Sequence, residues 1–253
     1  MRLRPGSILI ALVPYLIAGM TQMTLIIPTV NAQQILPAAG SKEEKIAELN
    51  KPIFCLSVVN PRFANPPRRA IGTGFLVSEK LLATAYHVKE DLDRQANQAG
   101  RLPGKIIAWK KFEDGEYVEV PLSFVQSDAA ADIAVFTFPA ETLRPQAQKR
   151  NLKPLPLAAR LPGIGEDILS VGYYGLMDFP FNSLGNVSTI DKGEDIYSDM
   201  TLMPGNSGSP LISLRTGEVL GINVKVMTIG DGTIRLGISK RIAKLIELLE
   251  KSK

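Results

Sequence analysis

From Ile53 onward the chain alternates short apolar runs with clusters of turn-forming residues, and most runs are too short for helices. Ile53 to Val59, Phe75 to Val77, Leu81 to Thr84 and Ile133 to Phe138 each read as a strand. Ser78-Glu79-Lys80 turns the second run into the third. Ile106 to Phe112 and Tyr117 to Val125 flank Asp114-Gly115 and predict a hairpin. Further strands are expected at Ile168 to Tyr173, Val187 to Ile190, Ile196 to Leu202, Leu211 to Leu214, Val219 to Val226 and Thr233 to Ile238. Three helices interrupt this pattern. Ser41-Lys42-Glu43-Glu44 has the form of a capping box ahead of Ile46, Ala47 and Leu49. Asp91 to Gly100 is polar enough for a short helix. Ile242, Leu245, Ile246 and Leu249 recur at helical spacing in the tail, whose apolar face would pack on the body. Many short strands with frequent turns and a terminal helix predict a β-barrel or sandwich protein. Asn60 to Arg69 carries three prolines and reads as a loop. The polar, proline-bearing stretch Pro145 to Pro156 reads as a linker between two β units of similar size.

The first 32 residues have a different pattern. Arg2 and Arg4 precede an apolar run from Ile8 to Ala18, and Val30-Asn31-Ala32 offers a cleavage site. This layout predicts a secretory signal peptide cut after Ala32. The alternative is an uncleaved anchor, because Gly6 to Val30 is long enough to span a bilayer. Pro14, Gln22 and Pro28 weaken that alternative. In both cases the remainder is exported, to the periplasm or beyond, and meets a membrane only if the segment stays attached.

Composition narrows the chemistry. The 253 residues are 45% hydrophobic and 21% charged, so the chain can bury a core. There are 21 glycines and 18 prolines, which favours a turn-rich β fold over a helical bundle. With one cysteine, Cys55, and one histidine, His87, an internal disulfide, a zinc finger and a tri-histidine centre are all excluded. Cys55 reads as a small buried apolar residue. No cofactor or metal is expected, although a carboxylate-only cation site is not excluded. The formal charge of +4 falls to +2 without Arg2 and Arg4, and the basic residues are scattered, so no nucleic-acid partner is expected.

The most specific local signal is Gly205-Asn206-Ser207-Gly208-Ser209-Pro210. Glycines beside a serine leave room around its hydroxyl and let successive N–H groups face one cavity, where they can hold an oxyanion. A glycine-rich turn is the plainer reading. A serine hydroxyl needs a base, and His87, at the end of an apolar strand, is the one imidazole available. The base in turn needs a carboxylate. Asp132 opens the apolar run Ile133-Ala134-Val135-Phe136, and Asp128 is a nearby competitor in a looser setting.

With these residues in view, the order His, Asp, Ser resembles that of chymotrypsin-type serine proteases, nearest to the bacterial Deg/HtrA-type branch. Gly72-Thr73-Gly74-Phe75 with Leu82-Ala83-Thr84 is similar to the segment leading to that family's catalytic histidine. Asp132-Ile133-Ala134-Val135 resembles its aspartate strand. Pro154-Leu155-Pro156-Leu157 with Gly165-Glu166 resembles the start of its second barrel. Pro204 to Pro210, with Gly221-Ile222-Asn223 and Gly237-Ile238-Ser239, resembles its serine loop and pocket walls. The likeness spans residues 50 to 245. It implies an all-β protein of two six-stranded β-barrels, of the chymotrypsin or trypsin-like fold, with a C-terminal helix. The expected divisions are an extension at 33–52, a first barrel at 53–150, a second at 151–239 and the tail helix at 240–253. It further implies a serine endopeptidase acting on proteins or peptides, with His87, Asp132 and Ser207 as the catalytic triad and the N–H groups of Gly205 and Ser207 as the oxyanion hole. Thr201 maps to the base of the specificity pocket, with Leu202, Pro204, Asn223, Val224, Lys225 and Ile238 as its lining. Small or medium apolar side chains fit this lining best, and Lys225 would instead favour an acidic one. Tyr86, Val224, Asn206 and Ser209 depart from common family choices. Val224 stands where many relatives place a hydroxyl that supports the aspartate. No peptide-binding PDZ domain is expected after the second barrel. A catalytically silent binding module on the same fold is the alternative function. An esterase is disfavoured, because the Gly-x-Ser-x-Gly elbow and serine-first order are absent. Oligomeric state is not legible.

Overall fold

The computed structural model describes residues 40–59, 70–98, 103–193, 195–232 and 234–251. All lie within the unit Ile35–Lys253. The segment read as a signal peptide and the loop Asn60 to Arg69 lie outside the described residues. Among the described residues, no helix is long and apolar enough to cross a membrane.

The chain opens with helix α1, Lys42–Asn50. Ser41 Oγ accepts from the N–H of Glu44 at 3.2 Å, and the Glu44 carboxylate accepts from the N–H of Ser41 at 2.9 Å. This reciprocal box fixes the helix start. Strands β1 (Ile53–Val59), β2 (Gly72–Leu76) and β3 (Leu81–Thr84) follow, then helix α2 (Tyr86–Gln98). Strands β4 (Lys105–Lys111), β5 (Tyr117–Pro121), β6 (Ser123–Asp128) and β7 (Ile133–Thr137) complete one sheet, in the order β5-β4-β1-β2-β3-β7-β6. The β4–β5 hairpin turns at Gly115, whose φ of +81° favours glycine.

This first sheet is the first of the two expected barrel units, and it departs from the six-stranded form only in strand count and closure. It has seven strands and no hydrogen-bonded closure. The apolar run Tyr117 to Val125, expected as one strand, is split at Leu122 into β5 and β6, which occupy opposite edges of the sheet. Because only Leu122 separates two edge strands, the sheet must curl until its edges meet. It is a half-barrel joined by chain continuity.

Helix α3 (Ala140–Arg150) follows β7 and contains Pro145. The stretch read as a linker therefore begins inside a helix. Its C-terminal end is fixed from outside: Arg150 stacks on Phe112 at 4.1 Å and pairs with Asp114 and Glu116 of the β4–β5 turn. These contacts offset the backbone hydrogen bond that proline cannot donate.

Strands β8 (Asp167–Gly172), β9 (Phe181–Ile190), β10 (Ile196–Ser198), β11 (Pro210–Ser213), β12 (Val219–Ile229) and β13 (Ile234–Arg241) form a closed six-stranded barrel. Its order is β10-β13-β12-β11-β8-β9. Helix α4 (Ala243–Glu250) ends the chain with Leu245 and Leu248 buried. The two sheets share one apolar core. Trp109 of β4 and Tyr173, after β8, meet at 5.7 Å between ring centroids across the join. Cys55 is buried in β1, and burial pushes its thiol up to about 12, so it behaves as an apolar core residue.

Lys110 of β4 is only 5% exposed. Its ammonium donates to the carbonyls of Asn50 at 2.9 Å and Ile53 at 3.1 Å, so it ties the end of α1 to the start of β1. Burial pushes its pKa down to about 7. Above that pH the folded chain releases a proton that the unfolded chain still holds, so stability rises with pH. Between pH 7 and 9 the stability difference between wild type and Lys110→Met should shift in favour of wild type by up to about 1.4 kcal/mol per pH unit. Urea denaturation of the two proteins across that range measures it. A pH-independent difference would show that the amine keeps its ordinary pKa.

Candidate active site

His87 lies in the first turn of α2, where backbone N–H groups lack helical partners. The carboxylate of Asp132 fills that gap from 45 residues away. Its Oδ1 accepts from the backbone N–H of His87 at 2.9 Å, and its Oδ2 lies 2.9 Å from His87 Nδ1. One side chain thus caps the helix and orients the ring. The sequence expectation placed His87 at a strand end. The strand stops at Thr84, and the helix begins two residues later.

Asp132 has a φ of +53°, a left-handed conformation uncommon outside glycine, asparagine and aspartate. The turn before it explains how this is held. Asp128 Oδ1 accepts from the N–H of Ala131 at 3.0 Å, and the N–H of Asp132 reaches the carbonyl of Ala129 at 3.3 Å. Asp128, the competing acid, therefore builds the turn that presents Asp132. Burial opposes ionisation of Asp132, but hydrogen bonds from the His87 ring and backbone outweigh it and hold its pKa below the usual value. The hydrogen bond to Asp132 raises the pKa of His87 above 6.5, against partial burial.

Ser207 lies in the loop between β10 and β11. Gly205 and Gly208 on either side have φ values of +102° and +84°. The loop is pinned to β12 by bonds from Gly208 N–H to the Asn223 carbonyl at 2.8 Å and from Asn223 N–H to the Ser209 carbonyl at 2.9 Å. Beneath it, the Asn223 amide donates to Ser170 Oγ at 2.7 Å and Ser209 Oγ at 2.9 Å, and accepts from Ser239 Oγ at 2.6 Å. All four residues are buried.

Thr73 of β2 joins this loop to the first sheet. Its N–H donates to the Ser207 carbonyl at 2.9 Å, and its hydroxyl donates to the Gly205 carbonyl at 2.8 Å. A Cβ at Gly208 would overlap Thr84 Oγ1 and Thr73 O and come within 3.0 Å of the Ala85 nitrogen. The Ser207-Gly208 link thus presses on the junction that leads into His87. Among the described residues, the N–H groups of Gly205 and Ser207, the Ser207 hydroxyl and His87 Nε2 have no hydrogen-bond partner.

A cavity of about 230 Å³ opens beside Ser207. Of the residues expected to line a specificity pocket, Leu202, Pro204, Asn223, Val224 and Lys225 do line it. Thr201 and Ile238 do not. Thr201 is exposed, with its carbonyl held by Ser183 Oγ at 2.7 Å, and Ile238 is buried in β13. Asn223 lines the cavity with its amide already bonded on both ends. Arg235 and Asn206 also line it and were not anticipated as lining. Arg235 was hidden because it faces Thr228 on a hairpin whose register local sequence does not fix. Thr73, Ser170 and Ser239 were missed as supports, although a hydroxyl inside a largely apolar run, as at Thr73 and Ser170, is a readable sign. Among the described residues, no group of three or more His, Cys, Asp or Glu side chains could hold a metal ion.

A family model described as the trypsin-like peptidase domain matches residues 72–222. A probable periplasmic serine endoprotease, DegP-like, of Halomonas elongata is 29% identical over 185 residues, covering 68% of this chain and 33% of the relative. A putative protease Do-like 14 of Arabidopsis thaliana is 27% identical over 194 residues, covering 73% of this chain and 42% of the relative. The chain thus spans less than half the length of these relatives. Among solved structures, the serine endoprotease from Yersinia pestis has a TM-score of 0.60 at 21% identity, covering 84% of this chain and 66% of that one. Deg5 has a TM-score of 0.58 at 18% identity, covering 83% and 94%. This structural likeness shows the fold.

The clamp at Thr73 generates a stability prediction. Thr73→Val strips the partner from the Gly205 carbonyl and from the Tyr173 N–H, which donates to the same hydroxyl at 3.0 Å. Leaving two such groups unpaired should cost about 2–4 kcal/mol in denaturant unfolding. Thr73→Ser should recover most of it, and a Thr73→Val protein as stable as wild type would show that the clamp carries no load.

Proposed function

The chain belongs to the trypsin-like peptidase family, and from that premise we propose that it is an exported serine endopeptidase. The observation that carries this reading is the double hydrogen bond from His87 to Asp132, joined to a serine loop that packs against the two residues before Tyr86. Ser207 Oγ attacks the carbonyl carbon of a peptide bond while its proton passes to His87 Nε2. The oxygen of the tetrahedral intermediate takes the negative charge and accepts from the N–H groups of Gly205 and Ser207. His87 returns the proton to the leaving nitrogen as the carbon–nitrogen bond breaks. Water, deprotonated by His87, then attacks the acyl carbon; the ester bond to Ser207 Oγ breaks, His87 returns the proton to that oxygen, and the acid product leaves. Asp132 holds the tautomer with the proton on Nδ1 and stabilises the imidazolium. The periplasmic description of several relatives and the amphiphilic pattern of residues 1–32 support export.

One observation favours the second reading, a silent binding module: no hydrogen bond joins Ser207 to His87 in the structure. Such bonds are often long before substrate binds. A fluorophosphonate probe separates the two readings. Labelling of the folded wild type that disappears in Ser207→Ala supports the peptidase, and absence of labelling supports the binding module.

The protonation states set the pH dependence. His87 acts as a base only when neutral, so kcat/KM should rise with pH through a midpoint above 6.5, because Asp132 raises the His87 pKa. Asp132→Asn should lower that midpoint and reduce kcat by about ten-thousand-fold, as loss of the orienting acid does in such triads. Initial rates between pH 5 and 9 measure both, and an unchanged midpoint in Asp132→Asn would remove Asp132 from the assignment.

A further inference from the structure

The cavity beside Ser207 carries charge of one sign. Lys225 of β12 and Arg235 of β13 both line it, and both are exposed. Neither has an ion pair or a hydrogen bond among the described residues. This sets them apart from Lys89, Lys111, Arg150, Arg160 and Lys240, each of which is paired with at least one carboxylate. No residue lining the cavity is acidic. Arg235 belongs to the same hairpin as Lys225 but pairs with Thr228, so two separate backbone positions bring cations to one opening.

A second observation comes from the buried side. Asn206 is 1% exposed and lines the same cavity, and neither its amide nitrogen nor its amide oxygen has a partner. It cannot retreat towards β8, because its Cγ already sits 2.9 Å from the position a Cβ would take on Gly172. A buried amide without partners is costly. The residue thus lines the cavity with its amide buried against Gly172 of β8. Leu202, Pro204 and Val224 supply apolar wall to the cavity.

We propose that this cavity selects an acidic side chain, glutamate or aspartate, on the substrate residue whose carbonyl Ser207 attacks, with Lys225 and Arg235 as the specificity-determining cations. The inference rests on the peptidase reading of Ser207. It resolves the two side-chain classes that the sequence left open in favour of the acidic one. The methylene portion of the side chain lies along the apolar wall, and the carboxylate meets the two cations. The cations stand at an exposed rim, so their attraction is screened by salt.

The experiment compares fluorogenic peptides identical except for Glu, Gln, Val or Lys before the scissile bond. Gln matches Glu in shape and lacks its charge. Wild type should cleave the Glu peptide at least about tenfold faster than the Gln peptide by kcat/KM, and raising ionic strength should narrow that ratio. In the double variant Lys225→Glu/Arg235→Glu the order should reverse, with Lys preferred to Glu. Lys225→Ala and Arg235→Ala should each reduce the Glu-to-Gln ratio. Ratios taken within one protein are insensitive to its folded fraction. Equal cleavage of Glu and Gln by wild type, preference for Val, or a Glu preference unaltered in the double variant would each overturn the inference while leaving the peptidase reading in place. A wild type that cleaves none of the four peptides and is not labelled by the phosphonate at Ser207 would overturn both.

Discussion

Thr73 uses every polar group it has at the junction of the two sheets. Its N–H and hydroxyl grip the carbonyls of Ser207 and Gly205, the hydroxyl also accepts from Tyr173, and its own carbonyl accepts from Thr84 Oγ1 at 2.7 Å. The residue is completely buried, so each of these bonds is made away from water. Losing one would leave a buried backbone group unpaired, which costs more than making the bond returns. The serine loop is therefore registered against β2 and β3 to within hydrogen-bond tolerance. Because β3 runs directly into α2, the same registration sets where the loop stands relative to His87. A longer side chain at Gly208 would push the loop off this surface. Space and hydrogen bonding thus enforce the same approach.

Asp132 plays a comparable part within the first sheet. A carboxylate at a helix N-terminus is stabilised by the free N–H groups there. Here the carboxylate also receives the imidazole, so helix start and ring orientation depend on one residue. Its left-handed backbone is a local cost that the Asp128 turn and these hydrogen bonds offset. The lowered pKa of Asp132 and the raised pKa of His87 share one cause, the bond between them, opposed by burial in both.

Much of this was legible from residue order. The capping box at Ser41, the hairpin at Asp114-Gly115 and the strands carrying Gly72 to Phe75 and Ile133 to Phe136 all show in local pattern, because each rests on neighbouring residues: a reciprocal cap, a turn dipeptide, and short runs buried on both faces. Long-range causes were not legible. Helix α2 starts at Tyr86 because Asp132 caps it, and nothing near Tyr86 records that. Helix α3 is disguised by Pro145 and held by charges from the β4–β5 turn. Strand β9 begins six residues before its apolar end, in Phe181-Asn182-Ser183-Leu184-Gly185, where Gly185 is needed because a Cβ would collide with Asp199 and Met200. At the site, glycines, serine, histidine and acid were each visible as residue types. The supports at Thr73, Ser170 and Ser239 and the cation at Arg235 depend on strand register.

The serine loop also shows how a turn can hold donors ready without a ligand present. The peptide plane that carries the Ser207 N–H also carries the Asn206 carbonyl, and that carbonyl is taken by the N–H of Ser209 at 2.9 Å. Donor and acceptor on a trans peptide point in opposite directions. Fixing the Asn206 carbonyl into the loop therefore turns the Ser207 N–H outwards. The next plane is fixed in turn, because the Ser207 carbonyl is held by Thr73. Under the peptidase reading, donors fixed in this way would need little rearrangement when charge develops before them. Asn223 extends the same logic downwards. Its backbone holds Gly208 and Ser209, and its amide is held by three buried hydroxyls, so the loop rests on a polar network with few alternative arrangements. Under the peptidase reading, stability and reactivity share a framework: the bonds that would have to loosen to let the loop relax are the ones that fix the peptide plane carrying the Ser207 N–H.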